Sequence, residues 1–133
     1  MINVINLAQK FTLFAEQWSP RIVGELNDAH VKLVKIQGEF IWHHHDHEDE
    51  LFLVMQGRML MHLREADANG DPIETEKWVE AGELIIIPRG IEHKPAAEDE
   101  CYILLLEPKT TVNTGSEADG ETGSARTVEA EWI

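Results

Sequence analysis

The stretch Trp42-His43-His44-His45-Asp46-His47-Glu48-Asp49-Glu50 places four of the chain's seven histidines within five positions and ends on a run of carboxylates. Extended chain alternates its faces, so His43 and His45 point to one side and His44 to the other. Two imidazoles on one face form a natural chelating pair. A carboxylate at the start of the next strand can close such a site from the neighbouring strand. His45 and His47, with Asp49 as the carboxylate, satisfy the same logic. A tag would look similar, but this cluster is internal. A solvated acidic loop with incidental histidines is the bland alternative.

Outward from this stretch the chain reads as strands. Residues 31–36 alternate apolar and basic side chains. Residues 50–55, 59–63, 75–79, 84–87 and 101–106 are short runs rich in β-formers. Turn signals separate them: Gln56-Gly57, Asn69-Gly70-Asp71-Pro72, Ala81-Gly82, Pro88-Arg89-Gly90 and Pro95. Many short strands with no long helix between them argue for an antiparallel sandwich or barrel. Ahead of them, Leu7, Phe11, Phe14 and Trp18 stand at helical spacing, with Asn6 as cap and Pro20 beyond, and predict an amphipathic helix over 6–18. After Pro108 the composition turns to Thr, Gly, Ser and Glu. An extended, partly mobile tail is expected there, with Trp132 and Ile133 free to dock on the body or on a second subunit. The expected organisation is an N-terminal helix and arm over 1–20, the barrel over 21–108 and the tail over 109–133.

The residues resemble the cupin superfamily. Its first motif runs glycine, a spacer, His-x-His, three or four residues, Glu, six residues, Gly. The chain has His43-x-His45, four residues, Glu50, six residues and Gly57. The leading glycine is displaced by one position, to Gly38 where Gln37 would match. The second motif runs glycine, five residues, Pro-x-Gly, two residues, His, three residues, Asn. The chain has Gly82, Pro88-Arg89-Gly90 and His93, with Ala97 in place of the asparagine, which is not a metal ligand. The resemblance covers about 31–107. It favours His43, His45 and Glu50 over the alternative set and adds His93 as a fourth ligand. The whole chain also looks like the small single-domain cupins labelled mannose-6-phosphate-isomerase-like. The implied fold is all-β, an antiparallel double-stranded β-helix (jelly-roll cupin barrel) with a short N-terminal helix. Three imidazoles and one carboxylate suit one divalent transition metal ion (Fe, Mn, Ni, Cu or Zn), with coordination positions left open for water, dioxygen or a chelating substrate.

A hairpin at Gln56-Gly57 would pair Val54 with Met59, Phe52 with Met61 and Glu50 with Leu63. Phe52, Val54, Met59, Met61 and Leu63 would then form the apolar wall of a substrate pocket. Arg89 is either a surface charge or, with Lys94, an anchor for an anionic substrate at its mouth. Leu51, Leu53 and Leu60 would face outward and need a cover, from the N-terminal helix or from a homodimer partner. His30 and His62 read as surface or structural residues.

Composition bounds the partners. The 133 residues carry 25 acidic and 11 basic side chains, a formal net charge of -14. Such a surface repels phosphate backbones and anionic membranes, so nucleic acid and membrane are not expected and a small-molecule ligand is. The lone Cys101 admits no internal disulfide and reads as a core thiol. With no visible leader and no apolar span, a reducing cytoplasm is the expected location. The function classes left open are a metal-dependent oxygenase, a sugar or sugar-phosphate isomerase or epimerase, and a non-catalytic binding module.

Overall fold

The computed structural model describes residues 1–117 and 126–133. Its elements are α1 (Leu7–Phe11), β1 (Arg21–Leu26), β2 (Ala29–Glu39), β3 (Glu50–Gln56), β4 (Arg58–Ala66), β5 (Pro72–Glu80), β6 (Leu84–Ile87), β7 (Glu92–Pro108) and β8 (Glu131–Trp132). The strands follow the order β5-β4-β7-β2-β1-β8, with β3 lying on β7 and β6 on β3. This is the jelly-roll arrangement expected from the sequence. No helix among the described residues is long and apolar enough to cross a membrane.

β7 is the spine. Along one edge it pairs with β2, from Pro108 opposite Ala29 to Ala96 opposite Glu39. Along the other edge it pairs first with β3, then with β4. The expected β3–β4 hairpin is therefore corrected: the two strands follow one another along β7 and do not pair. Leu51–Gln56 runs against Leu106–Tyr102, and Leu60–Arg64 continues against Ala96–Glu92. Gly57, at a φ of 83°, bends the chain over β7. A Cβ there would lie 3.2 Å from the Glu100 carbonyl oxygen, so the glycine serves a close crossing and not a reversal. Pro95, expected in a turn, lies inside β7 and gives its carbonyl to the Phe40 N–H at 2.9 Å.

The faces survive this correction, because alternation depends on strand parity and not on the partner. Val34, Ile36, Phe52, Val54, Met59, Met61, Leu63, Ile103 and Leu105 form one buried core. A second cluster of Phe11, Phe14, Val23 and Leu33 lies outside β2. Helix α1 is shorter than expected. Asn6 caps it, its side chain accepting from the Gln9 N–H, but Thr12 ends it by donating its hydroxyl to the Gln9 carbonyl. Isolated short helices are marginal, so packing decides their length. Here the following residues lie along β2. Lys35 donates to the Phe14 carbonyl at 2.6 Å, and Trp18, at a φ of 56°, donates its own N–H to Lys35. The arm covers β1, β2 and, through Phe11 stacked on Tyr102 at 4.6 Å between ring centroids, the adjoining part of β7. Leu84 and Ile86 of β6 stay more than half exposed.

Residues 118–125 of the expected tail lie outside the described ones. Its described remainder is held on the body. β8 adds in parallel to β1. Thr114 is fully buried, and Asn113 holds the Arg126 carbonyl and the Val128 N–H.

Candidate metal centre

The two histidine segments meet through their backbones. His43 N–H donates to the His93 carbonyl at 3.1 Å, and His93 N–H returns the bond at 2.9 Å. Gly90 N–H donates to the His45 carbonyl at 2.8 Å. Asp49 accepts from the Arg89 N–H at 2.9 Å. The loop before β3 and the turn before β7 are thus stitched together around the imidazoles. Apart from the His43 bridge this histidine loop is not a strand, yet it keeps the expected alternation. His43 and His45 are buried, while His44 is half-buried and bonded to Asp46.

His43, His45, Glu50 and His93 each present one ligand atom, all within 4.8 Å of one another, and all four side chains are buried. His47 and Asp49 are exposed, so the alternative set drops out. The ring nitrogens are oriented from behind. His43 Nδ1 lies 2.9 Å from the Ile41 carbonyl, and His93 Nδ1 lies 2.8 Å from the Ile91 carbonyl. A carbonyl only accepts, so both Nδ1 atoms carry the proton and both Nε2 lone pairs face inward. Glu50 Oε1 lies 3.3 Å from His93 Nε2 and 3.4 Å from His45 Nε2. The latter contact lacks hydrogen-bond geometry, and His45 Nε2 is a buried polar atom without a partner. A native fold rarely leaves such an atom unpaired. A cation among the four ligands would satisfy it, and the donor set suits a divalent first-row ion.

The electrostatics point the same way. Burial, then the charge of His93, pushes the His43 imidazole down to about 4, which keeps it neutral as a ligand must be. For Glu50, burial works to raise the carboxyl. The Glu107 carboxyl and the imidazoles of His45 and His93 outweigh that and hold it well below its ordinary value. Glu107 moves the other way: burial and the Glu50 charge push it well above, against the pull of Lys32.

A cavity of about 50 Å³ opens beside His43 and Glu50. Water occupies about 30 Å³ in the liquid, so the cavity admits a ligand of only a few heavy atoms without adjustment. Its wall takes Phe52 from the expected set, together with Trp18, Phe40, Val34, Ile103 and Glu107. Val54, Met59 and Met61 are fully enclosed in the core instead, because β4 lies on β7 beyond the cavity. Leu63 faces a separate groove between β5 and β6. Arg89 is absent from the cavity lining and is paired with Asp49 at 3.2 Å. Lys94 faces Glu39 at 3.5 Å.

Sequence reasoning missed several contributors. Trp18 stacks on Phe40 with ring centroids 4.9 Å apart and roofs the cavity. Asn113 joins the wall. Gly115, at a φ of 53°, lies where a Cβ would collide with the His44 carbonyl, and Ser116 N–H donates to that carbonyl at 2.8 Å. Glu107 carried a legible signal: it continues the inward parity of Ile103 and Leu105. The others follow from the path of the arm and the tail, on which composition is silent.

The comparisons agree with this geometry. A cupin-2 domain containing protein from Shewanella frigidimarina NCIMB 400 is 44% identical in its crystal structure, with a TM-score of 0.72 over 80% of this chain and 95% of that one. The uncharacterized protein YdbB of Bacillus subtilis (strain 168) is 30% identical over 87 residues, 65% of this chain and 70% of its own length. Acireductone dioxygenase of Phaeosphaeria nodorum is 32% identical over 108 residues; they make up 76% of this chain but only 55% of that protein, so the chain spans about half the length of this relative. The Cupin_2 family, described as the cupin domain, matches residues 30–107. That span is more than half of the 133 residues, and with both histidine segments inside it the chain belongs to the Cupin_2 family.

Proposed function

We propose that the chain is a mononuclear metal-dependent enzyme of dioxygenase type acting on a small molecule. His43, His45, Glu50 and His93 hold one divalent ion, Fe, Mn, Ni, Cu or Zn. The observation that carries this reading is the convergence of three buried imidazoles and one carboxylate within 4.8 Å, at the base of a largely apolar cavity. The similarity to an acireductone dioxygenase supports the reaction class. A bound ion would supply Lewis acidity and open positions for dioxygen and a chelating substrate. The chain's part is to fix the ligand set through the Ile41 and Ile91 carbonyls, to keep His43 neutral, and to exclude bulk water with Trp18, Phe40 and Phe52. A sugar or sugar-phosphate isomerase would need polar and basic groups around its substrate; the cavity wall is largely apolar, and Arg89, committed to Asp49, does not line it. We further propose a homodimer through the outer face of β3 and β6, where Leu84 and Ile86 are exposed.

The test is elemental analysis of untagged protein beside a His43→Ala/His45→Ala variant, followed by oxygen uptake with small enediols, diketones and phenolics. One equivalent of metal, lost in the variant, and oxygen uptake with one of these classes are expected. Absence of stoichiometric metal after reconstitution refutes the reading. Tight ligand binding without turnover would instead make the protein a binding module. Light scattering at micromolar concentration tests the dimer.

A further inference from the structure

Glu107 is a second carboxylate in the cavity, and the fold gains no evident stability from it. Its side chain is 3% exposed. Leu51 pairs with Leu106, so Glu50 and Glu107 are the next residues in register on β3 and β7 and share the interior face. Like charges placed directly opposite one another on a sheet are unfavourable. Lys32, on the same interior face of β2, meets Glu107 Oε1 at 2.7 Å and is itself 5% exposed. Buried ion pairs generally return no more stability than apolar side chains of the same volume. The second oxygen, Oε2, is buried, and no N–H or O–H of the described residues is placed to donate to it.

The other polar side chains lining the cavity are occupied. His43 and Glu50 belong to the ligand set. Both polar atoms of Asn113 hold the tail. The Trp18 indole N–H donates to the Gln37 carbonyl at 2.9 Å. Small-ligand sites combine an apolar wall with a few polar groups that fix orientation. Among the described residues lining this cavity, Glu107 Oε2 is the polar atom left to do so.

We infer that Glu107 is a ligand-binding and specificity residue, whose Oε2 takes the hydroxyl of a small, neutral oxygen chelate such as an α-hydroxyketone or its enediol. The inference rests on the metal-centre reading, because the ligand's other oxygen would sit on the ion. Lys32 is the positioning residue that fixes the carboxylate plane. A ligand whose hydroxyl is replaced by a methyl ether keeps the chelating oxygens but has no proton to give to Oε2. It should bind about tenfold more weakly, because Oε2 is then left buried without a donor.

The experiment uses Co(II)-loaded protein and two probes, hydroxyacetone and methoxyacetone, titrated on the visible cobalt absorption. Wild type should prefer hydroxyacetone by about tenfold. The Lys32→Met/Glu107→Leu variant, which removes both buried charges together, should bring the two affinities within about twofold at unchanged cobalt stoichiometry. Glu107→Gln, which keeps the shape, should weaken the preference by at least about threefold and serves if the double variant does not fold. Equal binding of the two probes by wild type overturns the inference, as does an undiminished preference in either variant. A wild type that takes up no cobalt overturns the metal reading itself, and that result is told apart by the stoichiometry measured first.

Discussion

Lys32→Met leaves the Glu107 carboxyl in the interior without its counter-charge. The pair is 2.7 Å apart, and both side chains are almost fully enclosed. Removing one partner of such a pair costs roughly 3–5 kcal/mol, whereas replacing both by apolar groups is often neutral or stabilising. Burial and Glu50 already push the Glu107 carboxyl above its ordinary 4.5. It can therefore take up a proton instead of staying charged, which places the cost near the lower end, about 3 kcal/mol at pH 8. At roughly 3–4 °C per kcal/mol for a domain of this size, the unfolding temperature falls by about 10 °C. The sign of the pH dependence follows from the same group. Without Lys32 the folded-state value rises further above the unfolded one, so the protonated form is the one the fold favours. Stability is then full below the unfolded value and is lost as pH rises through the folded value. The deficit against wild type should grow from pH 5 to pH 8. Urea unfolding followed by tryptophan fluorescence, with EDTA present to remove metal linkage, measures it. Lys32→Met/Glu107→Leu should return to within about 1 kcal/mol of wild type. A single-variant deficit under about 1 kcal/mol at pH 8, a deficit larger at pH 5 than at pH 8, or a double variant as damaged as the single would refute the reasoning.

Chelation should lower the unfolding temperature of the native protein. With metal at one hundred times its dissociation constant the bound ion contributes about 2.7 kcal/mol, and His93→Ala should erase the response to added metal in differential scanning fluorimetry. Gly115→Ala should destabilise more than Gly70→Ala. Both residues have positive φ, at 53° and 84°, but only the first would bring a Cβ onto the His44 backbone. The shared backbone cost is about 1–2 kcal/mol, and the excess, read from paired thermal melts, reports the tail's contact with the histidine loop. Burial raises the Cys101 thiol to about 11. At pH 8 it should stay protonated and resist a disulfide reagent until urea unfolds the chain, an outcome read by absorbance.

The architecture was legible because it rests on local rules. Strand parity assigned Phe52, Val54, Met59 and Met61 to the interior whatever their partners, and β6 matches the expected 84–87 residue for residue. The spacing of His43, His45, Glu50 and His93 marked the residues that the fold brings together, because Glu50 and His93 stand at the starts of β3 and β7 and His43 and His45 in the short loop between β2 and β3. The hairpin failed for a physical reason. A glycine at positive φ fits a reversal and a bend equally well, and only the long partner strand β7 distinguishes them. The helix over-extended because spacing reports which residues are apolar, not whether a helix or an extended arm buries them. Phe14 reached the core by the second route.

By itself, the sequence determined the strands, their inward faces and the identity of the four metal-site side chains, since these depend on period-two alternation and short-range spacing. Tertiary structure alone decided which strands are neighbours, how far the cavity reaches, and that Glu107, Lys32, Trp18 and the tail stand beside the site. Those placements arise from pairings between residues distant in sequence, such as Gln17 with Glu100, 83 positions apart, and Arg21 with Glu131. No local pattern encodes them, because the closure of long loops is settled by the summed burial of the whole chain.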